Sequence, residues 1–171
     1  MTRPVLFLDI DGVLLAGRHW RDGHQARYPG KATKTVPPEM QWPMNELWRR
    51  APHRIVVSST WRRDDHCRDH LRAAGIVAPF HDDWRTPSGP VTRTDSIPMS
   101  LRLRPANSDR EIADWLRRHP EVARYAIVDD DNDMLDEQRP YFVRTEFEEG
   151  LTAAHVDRLA AILGERSEQA A

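Results

Sequence analysis

The sequence predicts an α/β domain, a mostly parallel sheet with helices on both faces, and three observations lead there. Short apolar runs rich in strand-forming residues recur at Val5–Ile10, Ile55–Val57 and Tyr125–Val128, with no polar alternation inside them. Strands buried on both faces read this way, whereas half-exposed strands alternate. Segments of helical periodicity separate the runs, the order that gives crossover connections and parallel pairing. Each run also ends in polar side chains: Asp9-Ile10-Asp11, Ser58-Ser59-Thr60 and Asp129-Asp130-Asp131. Ligands bind beyond the carboxyl ends of the strands in such sheets, so these residues should collect at one rim. The fold expected is Rossmann-like.

The elements follow in order. The first strand lies between Pro4 and Gly12. Residues 16 to 38 are polar, hold several glycines and the Pro37-Pro38 pair, and read as a loop or flap. Met40, Met44, Leu47 and Trp48 recur at helical spacing, with Pro43 tolerated near the helix start. Arg54 to Ser58 is the second strand. Asp64 is placed to cap a helix carrying Cys67, Leu71 and Ala74, and Gly75 to end it in the left-handed conformation. Five prolines and weak periodicity between 79 and 107 predict a long irregular excursion with room for one short strand. Ser108 and Glu111 form a capping box ahead of Ile112, Trp115 and Leu116. Tyr125 to Val128 is the third strand, and Tyr141 to Val143 suggests a fourth. Thr152 opens a last helix with Val156, Leu159, Ala160 and Leu163 on its apolar side, ended by Gly164.

A chain of 171 residues has the size of one domain, expected here as a core from about 4 to 163 with a frayed tail at 164–171. A net charge of -2 gives no global attraction to nucleic acid or to an anionic membrane. The basic residues are nearly all arginine; Lys31 and Lys34 are the two lysines. The single cysteine, Cys67, excludes an intramolecular disulfide and a Cys-rich zinc cage, and its helical neighbours make it a small buried hydrophobe. No stretch reaches the roughly 20 apolar residues of a membrane span, and the apolar run after Met1 is too short for a signal peptide. A cytoplasmic monomer is the expectation.

Carboxylates gathered at one sheet edge repel unless a cation neutralises them. An oxygen-only donor set favours a hard ion such as Mg²⁺. The acidic run from Asp129 is not an EF-hand loop, because its sixth position is Met134 and its twelfth Pro140. A lone Asp-x-Asp fits a solvated strand end equally well, so the pattern gains meaning only from what accompanies it.

Asp9-Ile10-Asp11-Gly12-Val13-Leu14 resembles the first motif of the haloacid-dehalogenase-like (HAD) superfamily of phosphatases. Ile55-Val56-Val57-Ser58-Ser59 resembles its second motif, and Ala126-Ile127-Val128-Asp129-Asp130 its acidic fourth, in the right order. The stretch Ser58-Ser59-Thr60-Trp61-Arg62 and the helix Glu111-Ile112 with Trp115-Leu116 are similar to small HAD domains associated with RNA-repair proteins. The resemblance covers about residues 4 to 163. It implies that Asp9 attacks phosphorus and forms an aspartyl-phosphate. Asp11 would protonate the leaving oxygen and then activate water, and its carbonyl would join the metal site. Ser58 would hydrogen-bond the phosphoryl group. Asp129 and Asp130 would complete the Mg²⁺ site with Asp9 and Asp11, and Asp133 would sit outside it; which member of the run from Asp129 through Asp131 to Asp133 touches the ion stays open.

The family's third motif is a Lys or Arg between the second and fourth motifs. Both lysines precede the second motif, so an arginine must serve. Arg110, in the first turn of the helix before the acidic strand, is chosen, with Arg93, Arg102 and Arg104 as rivals. Ser59, Thr60, Trp61 and Arg62 are expected at the substrate, Trp61 stacking on a base and Arg62 holding a second phosphate, although a tryptophan at this position fits the core equally well. The loop after Asp11 is too small to seal the site, giving a minimal cap open to a bulky substrate unless the excursion from 79 to 107 covers it. The reading is a Mg²⁺-dependent phosphomonoesterase acting on RNA or DNA 3′-phosphate ends or on nucleotides. A small-metabolite (sugar phosphate) HAD phosphatase, a catalytically silent HAD-type phosphate- and Mg²⁺-binding module, and a phospho-receiver are the alternatives. The receiver is disfavoured because Asp-x-Asp comes first and the acidic run late.

Overall fold

The computed structural model describes residues 3–21, 36–87 and 108–164. Five strands form one all-parallel sheet: β1 (Val5–Leu8), β2 (Arg54–Val57), β3 (Phe80–Arg85), β4 (Tyr125–Asp129) and β5 (Phe142–Arg144), in spatial order β3-β2-β1-β4-β5. The described helices are α1 (Gly17–Arg21), α2 (Gln41–Arg50), α3 (Cys67–Ala73), α4 (Ser108–Arg118) and α5 (Ala153–Leu163). The α/β, Rossmann-like architecture with helices on both faces is as the sequence predicts.

The continuous apolar reading of β1 has a direct cause. Successive side chains of a strand point to opposite faces, and both faces here are covered. Leu6 and Leu8 join the core built with Met44 and Leu47 of α2, Leu71 of α3, and Val156 and Leu159 of α5. Val5 and Phe7 point the other way, into a core with Ile112 and Trp115 of α4 and Met134. Phe7 meets Trp115 edge-to-face with ring centroids 5.2 Å apart. The Trp115 indole N–H donates to the Asp83 carbonyl at 2.9 Å, which pins α4 to β3.

Several expectations gain detail. The excursion after residue 79 opens with a six-residue edge strand, β3, whose register on β2 slips between Ile55 and Val57. The flap after Asp11 starts with the short helix α1, and its residues 22–35 lie outside the described residues. Asp64 does not cap α3: His66 holds the N-cap position without a side-chain cap bond, and the Asp64 carboxylate instead accepts from the His66 amide at 2.9 Å in the turn ahead of the helix, its carbonyl accepting from Cys67. Between β2 and that turn a 3-10 helix runs from Thr60 to Arg63. Cys67 is fully buried, as a small hydrophobe would be. Thr152 and His155 cap α5, and Gly164 ends it with φ +82°. No helix among the described residues is long and apolar enough to cross a membrane.

Candidate active site

The polar strand ends converge as the parallel topology requires. β1 is central, with β2 on one side and β4 on the other, so the strand order reverses there and a crevice opens at the carboxyl rim. Leu8 pairs with Val128, and the Asp9 amide donates to the Val128 carbonyl at 3.0 Å. Asp9 and Asp129 therefore leave the sheet from adjacent, registered strands. Carboxylate oxygens of Asp9, Asp129 and Asp130 all lie within 4.8 Å of one another.

Gly12 makes that approach feasible. Its φ is +81°, which disfavours any residue with a Cβ, and a Cβ there would collide with the Asp130 carboxylate. Thr145, just beyond β5, ties the two acidic loops together. Its hydroxyl donates to the Gly12 carbonyl at 2.9 Å, and its amide to the Asp129 carbonyl at 3.0 Å. One Asp129 oxygen accepts the Asp131 amide at 2.9 Å, leaving the other available.

Crowding shows in the acid strengths. Burial, then the charges of Asp129, Asp11 and Asp130, pushes Asp9 well above the usual carboxylate range, against a hydrogen bond from Ser59. Burial pushes Asp129 up to about 7; the Asp131 amide opposes this, and Asp130, Asp131 and Asp133 add to it. A protonated carboxylate is a poor nucleophile and a poor ligand. A divalent cation among these oxygens would remove that cost, and three oxygen donors from aspartates suit a hard ion such as Mg²⁺. On these donors, the chain's residues fit the metal expected.

The end of β2 supplies the neutral and cationic parts. Ser58 is buried, and its hydroxyl has no hydrogen-bond partner among the described residues, as a group reserved for a ligand would be. The Ser59 hydroxyl bonds Asp9 and accepts from the Trp61 amide at 3.4 Å. Thr60 is exposed at the start of the 3-10 helix. Of the two places expected for Trp61, stacking platform or core, it takes the core. It is 5% exposed, and its indole N–H donates to both Asp11 oxygens at 3.2 Å, so it offers no free face to a base. Arg62 is equally engaged: it donates to the Ser58 and Ser59 carbonyls at 2.5 and 2.8 Å and pairs with Glu111 at 2.6 Å. Its charge also acts on Asp9. Arg110 is exposed in the first turn of α4, while the next residue, Glu111, reaches inward to Arg62. Arg93, Arg102 and Arg104 lie outside the described residues.

A family model for the HAD domain in Swiss Army Knife RNA repair proteins matches residues 5–156. The chain belongs to that family. No curated protein and no solved structure matched it. Membership of the HAD domains gives the acidic rim its general meaning, a phosphatase-type hydrolase. Within this HAD domain, sequence reasoning missed the partnership of Ser59 with Asp9, of Trp61 with Asp11, and of Glu111 with Arg62. A glutamate at the third helical position satisfies a capping pattern, so local spacing hides its long-range partner.

Proposed function

We propose that this HAD domain is a Mg²⁺-dependent phosphomonoesterase that acts through an aspartyl-phosphate on Asp9, with nucleic-acid 3′-phosphate ends or nucleotides as substrates. The observation behind the proposal is the meeting of two carboxylates of unlike surroundings, Asp9 among acids and Asp11 on an indole N–H, beside the unpartnered hydroxyl of Ser58. Mg²⁺ held by Asp9, Asp129 and Asp130, with the Asp11 carbonyl, would keep Asp9 ionised and draw charge from the phosphoryl oxygens.

Asp9 attacks phosphorus while Asp11 gives its proton to the departing alkoxide oxygen, so the P–O ester bond breaks as the P–O bond to Asp9 forms. Asp11, now ionised, takes a proton from water. That water attacks the phosphorus, releases inorganic phosphate and restores Asp9. Trp61 holds Asp11 in place through both steps. Ser58 donates to a phosphoryl oxygen, and Arg62 is the cation assigned to offset the phosphoryl charge, in preference to the exposed Arg110. The nucleic-acid substrate is supported by the RNA-repair family and by the short flap after Asp11.

The test is release of inorganic phosphate from aryl phosphate, nucleotides, sugar phosphates and 3′- and 5′-phosphorylated oligonucleotides, with Mg²⁺ and with excess chelator. Metal-dependent release with preference for a 3′-phosphorylated end is expected. Full activity in chelator would sink the scheme. Preference for a sugar phosphate would sink the substrate assignment alone.

A further inference from the structure

A cleft of about 430 Å³ opens at the carboxyl end of β3, lined by Arg62, Arg63, Asp83, Arg85, Thr86 and Arg118 together with Pro87. Four arginines and one aspartate line it, and Glu111 and Asp65 pair with two of these arginines from outside the lining. Three of the arginines are held in place, Arg62 by its bonds to Ser58, Ser59 and Glu111. Arg85 donates to the Arg62 carbonyl at 3.2 Å, pairs with Asp65 at the same distance, and lies 5.1 Å from the Trp84 ring centroid. Arg118 pairs with Asp83 at 2.7 Å. Each bond occupies one edge of a group that has five donors. Arg63 is exposed. Two donors in the cleft wall, Thr86 Oγ1 and Arg62 Nε, are buried and lack a hydrogen-bond partner among the described residues. Thr86 is 1% exposed and Arg62 4%. Buried donors without acceptors, beside Arg85 and Arg118 that each engage their carboxylate through a single terminal nitrogen, describe a place built for an anion.

The cleft shares a wall with the reaction centre. The Thr86 amide donates to the Val57 carbonyl at 3.1 Å, one residue before Ser58, and Arg62 spans from the cleft to the Ser58 and Ser59 carbonyls. Asp9 and Thr86 follow strands that are two places apart in the sheet, which is roughly 10 Å at ~4.8 Å per strand. A stacked strand rises about 3.4 Å per phosphate, so that separation corresponds to two or three nucleotides.

We propose that this cleft binds an internal phosphodiester of a nucleic-acid strand whose phosphorylated end lies at Asp9, which makes Arg63, Arg85 and Arg118 determinants of substrate length. The proposal rests on the phosphatase reading above and deepens it. A monophosphate of a small metabolite has nothing to place there.

The experiment separates the two readings. Affinity is measured by fluorescence anisotropy with labelled 3′-phosphorylated oligonucleotides of one to six nucleotides on the Asp9→Asn protein, so that turnover is not needed. Turnover of aryl phosphate is measured in the otherwise native protein. Affinity should rise over the first three or four nucleotides and then level off. Arg63→Gln with Arg85→Gln should weaken binding of the longer strands at least tenfold and reduce the salt slope by about 0.7 for each phosphate that is no longer neutralised. Aryl phosphate turnover should stay within twofold, which also reports that the double variant is folded. If Arg85→Gln impairs folding, Arg63→Gln alone, at an exposed position, should still reduce the salt slope. Length-independent affinity, or an unchanged salt slope in both variants, overturns the cleft assignment while leaving the phosphatase intact. Absence of aryl phosphate turnover with length-dependent binding retained overturns the phosphatase and leaves the cleft.

Discussion

The indole N–H of Trp61 donates to both carboxylate oxygens of Asp11, each at 3.2 Å. Trp61 sits in the 3-10 turn after β2 and Asp11 in the turn after β1, so the bond ties the second polar strand end to the first across 50 positions of sequence. The sequence admits Trp61 either as a base-stacking platform or as core, and its burial with this bond is that of a core residue reaching the rim.

Trp61→Phe keeps the packing and removes the donor. A hydrogen bond to a charged group contributes about 1.5–3 kcal/mol, so kcat should fall roughly 10- to 100-fold. The loss should be equal for aryl phosphate and for an oligonucleotide. A loss confined to the oligonucleotide in a phosphate-release assay would return Trp61 to stacking. Trp61→Ala is less informative, because emptying a buried indole costs about 3–5 kcal/mol of stability.

Asp9→Asn should abolish turnover, since an amide is a poor nucleophile. Asp11→Asn should slow it by roughly 10²–10⁴-fold while leaving phosphate-ester binding intact. Single-turnover measurements should show phosphoryl-enzyme lasting longer in Asp11→Asn than in the native protein. Its absence there, with turnover retained, would remove the covalent scheme.

Gly12→Ala should loosen the metal site. The new Cβ both strains the positive φ and displaces the Asp130 carboxylate. Mg²⁺ titrations followed by activity should show at least a tenfold higher requirement. An unchanged requirement would mean that Asp130 does not touch the ion.

Mg²⁺ should raise Tm more at pH 8 than at pH 5. Asp129 is pushed up to about 7, from an ordinary value of 3.8. Without a cation the folded chain therefore holds a proton that the unfolded chain releases. The stability this confers is full below about 4 and is lost as pH rises through about 7. Cation binding needs the ionised form, so its increment grows over the same window. A thermal-shift increment independent of pH would contradict this.

His53 works in the opposite sense and far from the rim. Burial lowers it from 6.5 to about 4, with a 2.7 Å hydrogen bond from Nδ1 to the Ala51 carbonyl opposing. The unfolded chain binds the proton first, so stability is full above about 6.5 and falls as pH drops through about 4. The shift is worth roughly 3 kcal/mol at most. His53→Leu should flatten the variant's own stability–pH curve over that range in chemical denaturation, so that the native-minus-variant difference changes with pH; a parallel pair of curves would assign the pH dependence elsewhere.

Much of this was legible in the sequence, and the reasons are physical. β1, β2 and β4 are covered on both faces, so their runs are apolar throughout. Their carboxyl ends had to bring Asp9, Ser58 and Asp129 together once parallel pairing was granted. β3 was read only as a short strand within an irregular segment, because an edge strand carrying His81, Asp82 and Asp83 has no pressure to be apolar. α1 escaped because five residues leave no periodicity to detect. The Glu111 partner of Arg62 stayed hidden because sequence shows neighbours and not partners, and Glu111 lies 49 positions away.

The pairing of Leu8 with Val128 joins positions about 120 residues apart. Asp9 cannot meet Asp129 until β4 has docked beside β1, so a nascent chain in which β4 has not yet been made lacks the clustered carboxylates. On the proposed reading, activity should therefore emerge in one step once β4 is in place, and phosphate release would serve as a clock for its docking.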